Sequence, residues 1–198
     1  AKVGPSVAKD ITHGAIISVA LAIVFIFLYI LLRFRNIGFS VGSIVGLILD
    51  TTIVVGIFSL CYGWIGFSLE IDQTFIGAIL TVIGYDINDT VVVYDRIREN
   101  LRNNKHRLNK TDMQGLFNDS INQTLSRTIN TSDSTLIVLI SIFILGGDSI
   151  RSFSFAMIIG VIIGTLSSIF IASPVAYLVL GKKIENRSAA ASADEAKE

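Results

Sequence analysis

Residues 14–32 read GAIISVALAIVFIFLYILL, a stretch without one charged side chain. A helix needs about 20 predominantly apolar residues to cross the hydrocarbon core of a bilayer, and this run has that length. Large apolar side chains occupy every face of the corresponding helix, as expected of a helix that is surrounded by lipid. The stretch therefore predicts a membrane span and indicates the class of the whole protein.

Four further stretches of similar length follow, at residues 40–62, 71–94, 125–145 and 153–180. Hydrophobic residues make up 52% of the 198 positions, which agrees with a chain that lies mostly inside spans. The fourth stretch is the weakest because only residues 136–145 are continuously apolar, and its polar first half requires protein or water around it. The sequence predicts an all-α, polytopic bundle of five transmembrane helices.

The basic residues are concentrated in segments that lie on one side of such a bundle. Short loops on the cytoplasmic side of membrane proteins carry an excess of lysine and arginine, so these segments predict an N-out, C-in orientation. The inner residues are Arg33, Arg35, Arg96, Arg98, Arg102, Lys105, Arg107, Lys110, Arg127, Lys182 and Lys183, whereas only Lys2, Lys9 and Arg151 are left outside.

The inner connection at residues 96–124 is long enough to contain structure of its own. Thr111 and Gln114 form a capping box, and apolar residues then recur at helical spacing: Met113, Leu116, Phe117 and Ile121. We expect an amphipathic helix in the inner membrane interface, with a plain soluble connector as the alternative. Residues 1–13 are expected to form an outer segment, residues 14–183 the transmembrane domain, and the Ala/Ser/Glu-rich residues 184–198 a disordered tail.

Two ridges of small residues at four-residue spacing predict close helix packing. Helices in membranes associate through small side chains that let their backbones approach. The last span carries Ala156, Gly160, Gly164, Ser168, Ala172 and Ala176. In the second span Gly38, Gly42 and Gly46 lead along one face to Asp50, so that a polar group is expected in a tight interhelical seam.

Ionisable residues inside the spans are the main indication of function. Each costs several kcal/mol at the bilayer centre, so such residues are usually paired and functional. Asp50, Asp86, Asp89 and Asp133 lie within predicted spans, and Arg127 opens the fourth. Asp89 and Arg127 fall at comparable depths on spans that an inner loop joins, and we hypothesise that they pair when the acid is ionised.

Asp86 lies one helical turn before Asp89 and is a candidate proton partner for it, because two neighbouring acids disfavour double ionisation. The alternative is a static buried ion pair that only orders the bundle. Other chemistries have little support: Cys61 is the single cysteine, the two histidines have no spacing partner, and the net charge is zero. We therefore expect no metal site, no enzyme and no nucleic-acid partner.

Three motifs closely resemble SecF signatures of the SecD/SecF protein-export family. Residues 87–100 read INDTVVVYDRIREN, residues 120–128 SINQTLSRT and residues 164–170 GTLSSIF, and Val3-Gly4-Pro5 resembles the family's re-entry into the membrane. The resemblance covers almost everything up to Lys183.

The resemblance implies a member of the resistance-nodulation-division superfamily, with this chain as helices two to six of the SecF half. It implies a bacterial inner-membrane location and a SecD half, the Sec translocon channel, a translocating unfolded polypeptide and the lipid bilayer as partners. It implies coupling to a proton gradient, or to a sodium gradient as in some members of the family, with no other cofactor. The family's key acid aligns with Asp89, beside Asn88, and its key arginine with Arg127.

The chain also departs from the family pattern. Family members usually have a small polar residue in place of Asp86, an apolar one in place of Asp133, and a histidine in place of Leu49 beside Asp50. The two extra acids change the expected protonation scheme. Two alternative functions remain open: a half-transporter of the same superfamily that exports lipids or small molecules, and a membrane scaffold without ion coupling.

Overall fold

The computed structural model describes residues 5–65, 69, 72–104 and 110–182. Its helices are α1 (Pro5–Phe34), α2 (Ile37–Cys61), α3 (Gln73–Asn103), α4 (Lys110–Leu145) and α5 (Asp148–Ser167). A π-helical turn, Ser168–Ala172, and α-helix over residues 173–182 continue α5 without a break, and the three parts together are called the fifth helix. The described residues contain five stretches long and apolar enough to cross a membrane. The predicted all-α fold with five spans is confirmed.

The helices extend beyond the predicted spans. α1 starts within the predicted outer segment, α3 runs on to Asn103, and α4 begins at Lys110. Residues 1–4 of the predicted outer segment and the predicted disordered tail at residues 184–198 lie outside the described residues.

The predicted interfacial helix is not a separate element. Residues 113–124 are helical, as their spacing predicts, but they form the first turns of α4, which continues as the fourth span. Met113 and Phe117 are buried in a cluster with Ile97 of α3 instead of facing a lipid surface. The helix continues because no proline interrupts it and because its apolar face has protein to pack against. The side chain of Thr111, the first residue of the capping box, lies outside what the structure describes.

Short, capped turns hold neighbouring helices together. Two residues join α1 to α2: Arg35, whose φ is +50°, and Asn36, whose side chain accepts a hydrogen bond from the Gly38 amide. At the other end of the bundle, the Asp72 carboxylate accepts a hydrogen bond of 2.9 Å from the Phe75 amide and so caps α3. These turns place α2 between α1 and the rest of the bundle.

The centre of the bundle is formed by α3 and the fifth helix, with α2 and α4 packed against both. α1 contacts mainly α2 and leaves most of its apolar surface exposed; Phe25 is 66% and Leu32 76% accessible. Exposed apolar side chains on a helix of this length are suited to lipid.

Two apolar clusters fill the bundle, one near each end. The first includes Val54, Phe58, Phe75 and Val82, and the second includes Phe39 and Tyr94 with the first turns of α4. Between them lie buried polar residues of α2, α3, α4 and the fifth helix: Asp50, Asp86, Asp89, Thr90, Ser132, Ser167 and Ser168. A polar layer therefore divides the core in the middle of the spans, and the candidate site lies in it.

Candidate functional site

Asp50 of α2 and Asp86 of α3 face each other in the polar layer. Their carboxyl groups lie within hydrogen-bonding reach, and the Ser167 hydroxyl of α5 lies beside Asp50. The accessible fractions of the two acids are only 1% and 3%. The structure thus pairs Asp86 with Asp50 of another helix, whereas the sequence suggested Asp89 as its partner.

Glycines on α2 and α5 make this approach possible. A Cβ atom added at Gly164 would lie 2.9 Å from Asp86 Oδ1, and one added at Gly46 would lie 3.2 Å from Ser167 Oγ. Gly160 packs against Val82 in the same way, and Gly42 packs against the backbone at Ala172 and the Tyr94 hydroxyl. The ridges identified in the sequence therefore lie where the backbones of α2, α3 and the fifth helix come closest.

Asp89 lies at the junction of three helices and is 2% accessible. Its Oδ2 atom is 3.3 Å from the Ser132 hydroxyl of α4 and 3.4 Å from the Thr165 hydroxyl of α5. These two hydroxyls are 2.6 Å from each other. The Thr165 hydroxyl also lies 2.8 Å from the Val161 carbonyl of its own helix, so its one proton has more than one acceptor. Asp89 therefore lies against hydroxyl groups of both neighbouring helices, with Ser132 as its donor.

This setting suits a carboxyl group that gains and loses a proton. A hydroxyl can donate and can accept, so Ser132 can donate to an ionised Asp89 and accept from a protonated one. An arginine has five donors and no acceptor, and so stabilises only the ionised acid. The hydroxyl pair therefore lets both protonation states exist at one geometry.

The structure does not bring Arg127 to Asp89. Arg127 is exposed, and none of the ion pairs among the described residues includes it. It lies in an open polar groove of about 770 Å³ along α4, lined by Gln123, Ser126, Arg127, Asn130, Thr131, Ser134 and Thr135. The buried face of α4 carries Thr128 and Ser132 instead. Depth along the helix agrees with the hypothesised pair, but the rotation of α4 turns Arg127 away, and the pair remains a prediction.

The other two candidates also lie away from the polar layer. Asn88 of α3 and Asp133 of α4 are both exposed. Each lies next to a buried residue of the layer, Asp89 or Ser132, and a step of one residue turns a helix by about 100°. Neither contacts the acid pair or Asp89 through a hydrogen bond in the described part of the chain.

Sequence reasoning missed the hydroxyl residues and Tyr94. Tyr94 is fully buried, and its hydroxyl donates a hydrogen bond of 2.9 Å to the Ala172 carbonyl at the end of the π-helical turn. Pro174 follows this turn and has no N–H for the helical ladder, which explains why the hydrogen-bond pattern changes here. Thr165 and Ser167 lie within residues 164–170 and Tyr94 within residues 87–100, and both stretches resemble motifs of the family.

A family model described as "Protein export membrane protein SecD/SecF, C-terminal" matches residues 1–182. The chain belongs to the SecD/SecF family. A protein translocase subunit SecF from Rhodothermus marinus is 54% identical over 87% of this chain and 54% of its own length. The SecF subunit from Cereibacter sphaeroides is 46% identical over 86% of this chain and 49% of its own length. The chain thus spans about half the length of these SecF relatives, and it is a multi-pass membrane protein.

Solved structures of the SecD/SecF family share the fold. A crystal structure of SecDF from Thermus thermophilus, described as a translocon-associated membrane protein, is 39% identical with a TM-score of 0.76. It matches 91% of this chain over 23% of that longer chain. A structure of SecDF in a super-membrane-facing form is 35% identical, with a TM-score of 0.68, over 98% of this chain and 24% of that one.

Proposed function

We propose that the chain is the membrane-embedded part of a protein-export subunit that uses the proton gradient, with Asp89 as the coupling residue. The observation that carries the proposal is a buried acid on a membrane-spanning helix, held by two hydroxyls. Burial of an ionisable group at this depth costs several kcal/mol, which is difficult to explain by stability alone. The hydroxyl setting accommodates either protonation state, as a coupling residue requires.

Protein export is favoured over the export of lipids or small molecules by the relatives. The similar proteins are named as protein translocase subunits, and the solved neighbour is described as translocon-associated. We therefore propose the Sec translocon channel and a translocating unfolded polypeptide as partners, in a bacterial inner membrane. A pure scaffold has less support because it gives no role to the buried acids.

The exposed groove on α4 supports a SecD half as the direct partner. Its polar lining, with Arg127 in the middle, lies on a helix long enough to span a membrane. Such groups are disfavoured against lipid and require protein or water. A partner helix bundle that covers the groove would bury Arg127 and could bring it into the ion pathway. A rotation of α4 about its own axis would then make and break a contact between Arg127 and Asp89.

The choice of coupling ion is tested by collapsing each gradient in turn. Inverted membrane vesicles that contain the full-length parent with its SecD half import a preprotein, and vesicles without the subunit give the background rate. We expect a protonophore to remove the subunit-dependent part of the rate, and a sodium ionophore to leave it unchanged. A subunit-dependent rate that survives both treatments would contradict ion coupling.

A further inference from the structure

The pair formed by Asp50 and Asp86 has a chemistry distinct from that of Asp89. Asp50 lies roughly 20 Å along α2 from its first residue, Ile37, and so near the middle of the span. Asp86 faces it from α3 at hydrogen-bonding distance. Asp89, one turn further along α3, points instead to Ser132 and Thr165. The two acids of α3 therefore serve different neighbours.

The pair is short of hydrogen-bond donors. Neither carboxyl oxygen of Asp50, nor Oδ1 of Asp86, has a completed hydrogen bond among the described residues. The hydroxyl of Ser167, which is 2% accessible, lies beside Asp50 and can donate to it, but its single proton cannot serve all three of these carboxyl oxygens. Buried polar atoms are rarely left unpaired, and two ionised carboxylates cannot supply a donor to each other. One proton on either carboxyl supplies the missing donor.

The surrounding charges agree with a bound proton. The titratable groups that face the pair from α3 are Asp89 and Tyr94, and none of the pair's electrostatic neighbours in the described part of the chain is a cation. α5 contributes Gly164 and Ser167, which carry no charge. Two adjacent negative charges in a low-dielectric interior repel strongly when no cation offsets them. A single proton reduces the pair to one negative charge that the two carboxyls share.

The packing leaves little space for a larger ion. The α5 backbone at Gly164 is so close that an added Cβ would lie 2.9 Å from Asp86 Oδ1 and 3.1 Å from its Cβ. A hard metal cation binds through a shell of several oxygen ligands. Among the described residues, the side chain that adds an oxygen atom beside the pair is Ser167. A proton needs no such shell.

We propose that Asp50 and Asp86 form a second proton-binding site, which holds one proton between two carboxyl groups and is separate from Asp89. The inference that the pair binds a proton rests on its geometry alone. A role for this proton in transport rests, in addition, on the proposed function. Asp89 and the pair are then two protonatable positions on successive turns of α3, one against α4 and the other against α2.

Infrared difference spectroscopy tests the site without any export assay. The full-length parent with its SecD half is placed in lipid nanodiscs at neutral pH, and the C=O stretch of protonated carboxyl groups is compared between variants. Asp50→Asn, Asp86→Asn and the double variant are measured, with Asp119→Asn, an exposed acid of α4, as the control. Asp86→Ser serves as a second variant in case Asp86→Asn does not fold.

We expect each single variant to lose the same amount of C=O absorbance from protonated carboxyl groups. In each case the asparagine amide donates to the remaining carboxylate, in place of the protonated carboxyl that donated to it before. The double variant should lose no more than either single one, and Asp119→Asn should lose nothing. A loss in the double variant twice that of the singles would mean two protonated acids, and no loss in any variant would mean none. Either result overturns the shared proton. Both leave the role of Asp89 in export to be judged separately.

Discussion

The Ser132 hydroxyl of α4 lies 3.3 Å from Asp89 Oδ2 of α3, and 2.6 Å from the Thr165 hydroxyl of the fifth helix. One carboxyl group is therefore tied to the two helices that pack beside it. Because a hydroxyl can both donate and accept, the hydrogen bond with Ser132 can run in either direction as Asp89 loses or gains a proton. The contact between α3 and α4 therefore includes a hydrogen bond to a buried acid.

Ser132→Ala should weaken the bundle, because it removes a buried interhelical hydrogen bond to Asp89. Such bonds contribute roughly 0.5–2 kcal/mol in membrane proteins, and we expect a loss of that size in the free energy of unfolding. Denaturation of the purified protein in mixed micelles measures it. The control is Ser134→Ala, since Ser134 is exposed and, among the described residues, donates to the Asn130 carbonyl of its own helix. Equal losses in both variants would contradict a stabilising role for the Ser132 contact.

Gly164→Ala should force α3 and α5 apart at the acid pair. The added Cβ would meet Asp86 Oδ1 at 2.9 Å, and overpacking of this kind typically costs about 1–3 kcal/mol. The matched control is Gly84→Ala on α3, where an added Cβ meets nothing within 4 Å. Since alanine favours helix over glycine by about 1 kcal/mol, the control should be neutral or slightly more stable. Thermal unfolding that ranks the two variants in the opposite order would show that the helices do not pack closely here.

Tyr94→Phe should loosen the π-helical turn. The substitution removes the donor to the Ala172 carbonyl, and a buried carbonyl left without its partner costs about 1–3 kcal/mol. We expect faster amide hydrogen exchange over residues 168–176, measured by mass spectrometry. Tyr177→Phe is the control, because the Tyr177 ring packs against Phe117 and should keep that contact. Unchanged exchange in Tyr94→Phe would mean that the turn is held by the helix backbone alone.

Arg127→Met should reduce export without changing the stability of the chain. Because Arg127 is exposed, the free energy of unfolding of this chain should change by no more than about 0.5 kcal/mol. Export by the full-length parent should nevertheless be lost if Arg127 takes part in the ion pathway with the partner half. Arg102→Met, at the exposed end of α3, should leave both quantities unchanged. Normal export by Arg127→Met would remove Arg127 from the pathway and leave the groove as a packing surface.

The spans could be predicted from the sequence because the energy of burying apolar residues in lipid is local. Each apolar run indicates its own helix, as residues 14–32 do. The helix ends could not be placed as well, since α3 and α4 continue beyond the predicted spans and pack on each other there, through residues such as Ile97 and Met113. A hydropathy pattern carries no information about such contacts.

The sequence predicts which acids belong to the site, but not which residues contact each other there. Asp50, Asp86 and Asp89 were recognised from the cost of burying acids, and all three lie in the polar layer. The depth of a residue along a helix can be counted from the sequence. By this count Asp89 and Arg127 lie at similar depths in the membrane. Rotation about the helix axis depends on contacts between helices, and it directs Ser132 to Asp89 and Asp86 to Asp50. Partner choice therefore required the structure.

The role of Asp89 in ion coupling is tested most directly by the export rate of the full-length parent carrying Asp89→Asn. Vesicles with this variant are compared with wild type and with Asp119→Asn, each with and without a proton gradient. We predict that Asp89→Asn folds normally but loses the gradient-dependent part of the rate, while Asp119→Asn retains it. A gradient-dependent rate in Asp89→Asn equal to that of wild type would contradict the assignment of Asp89 as the coupling residue.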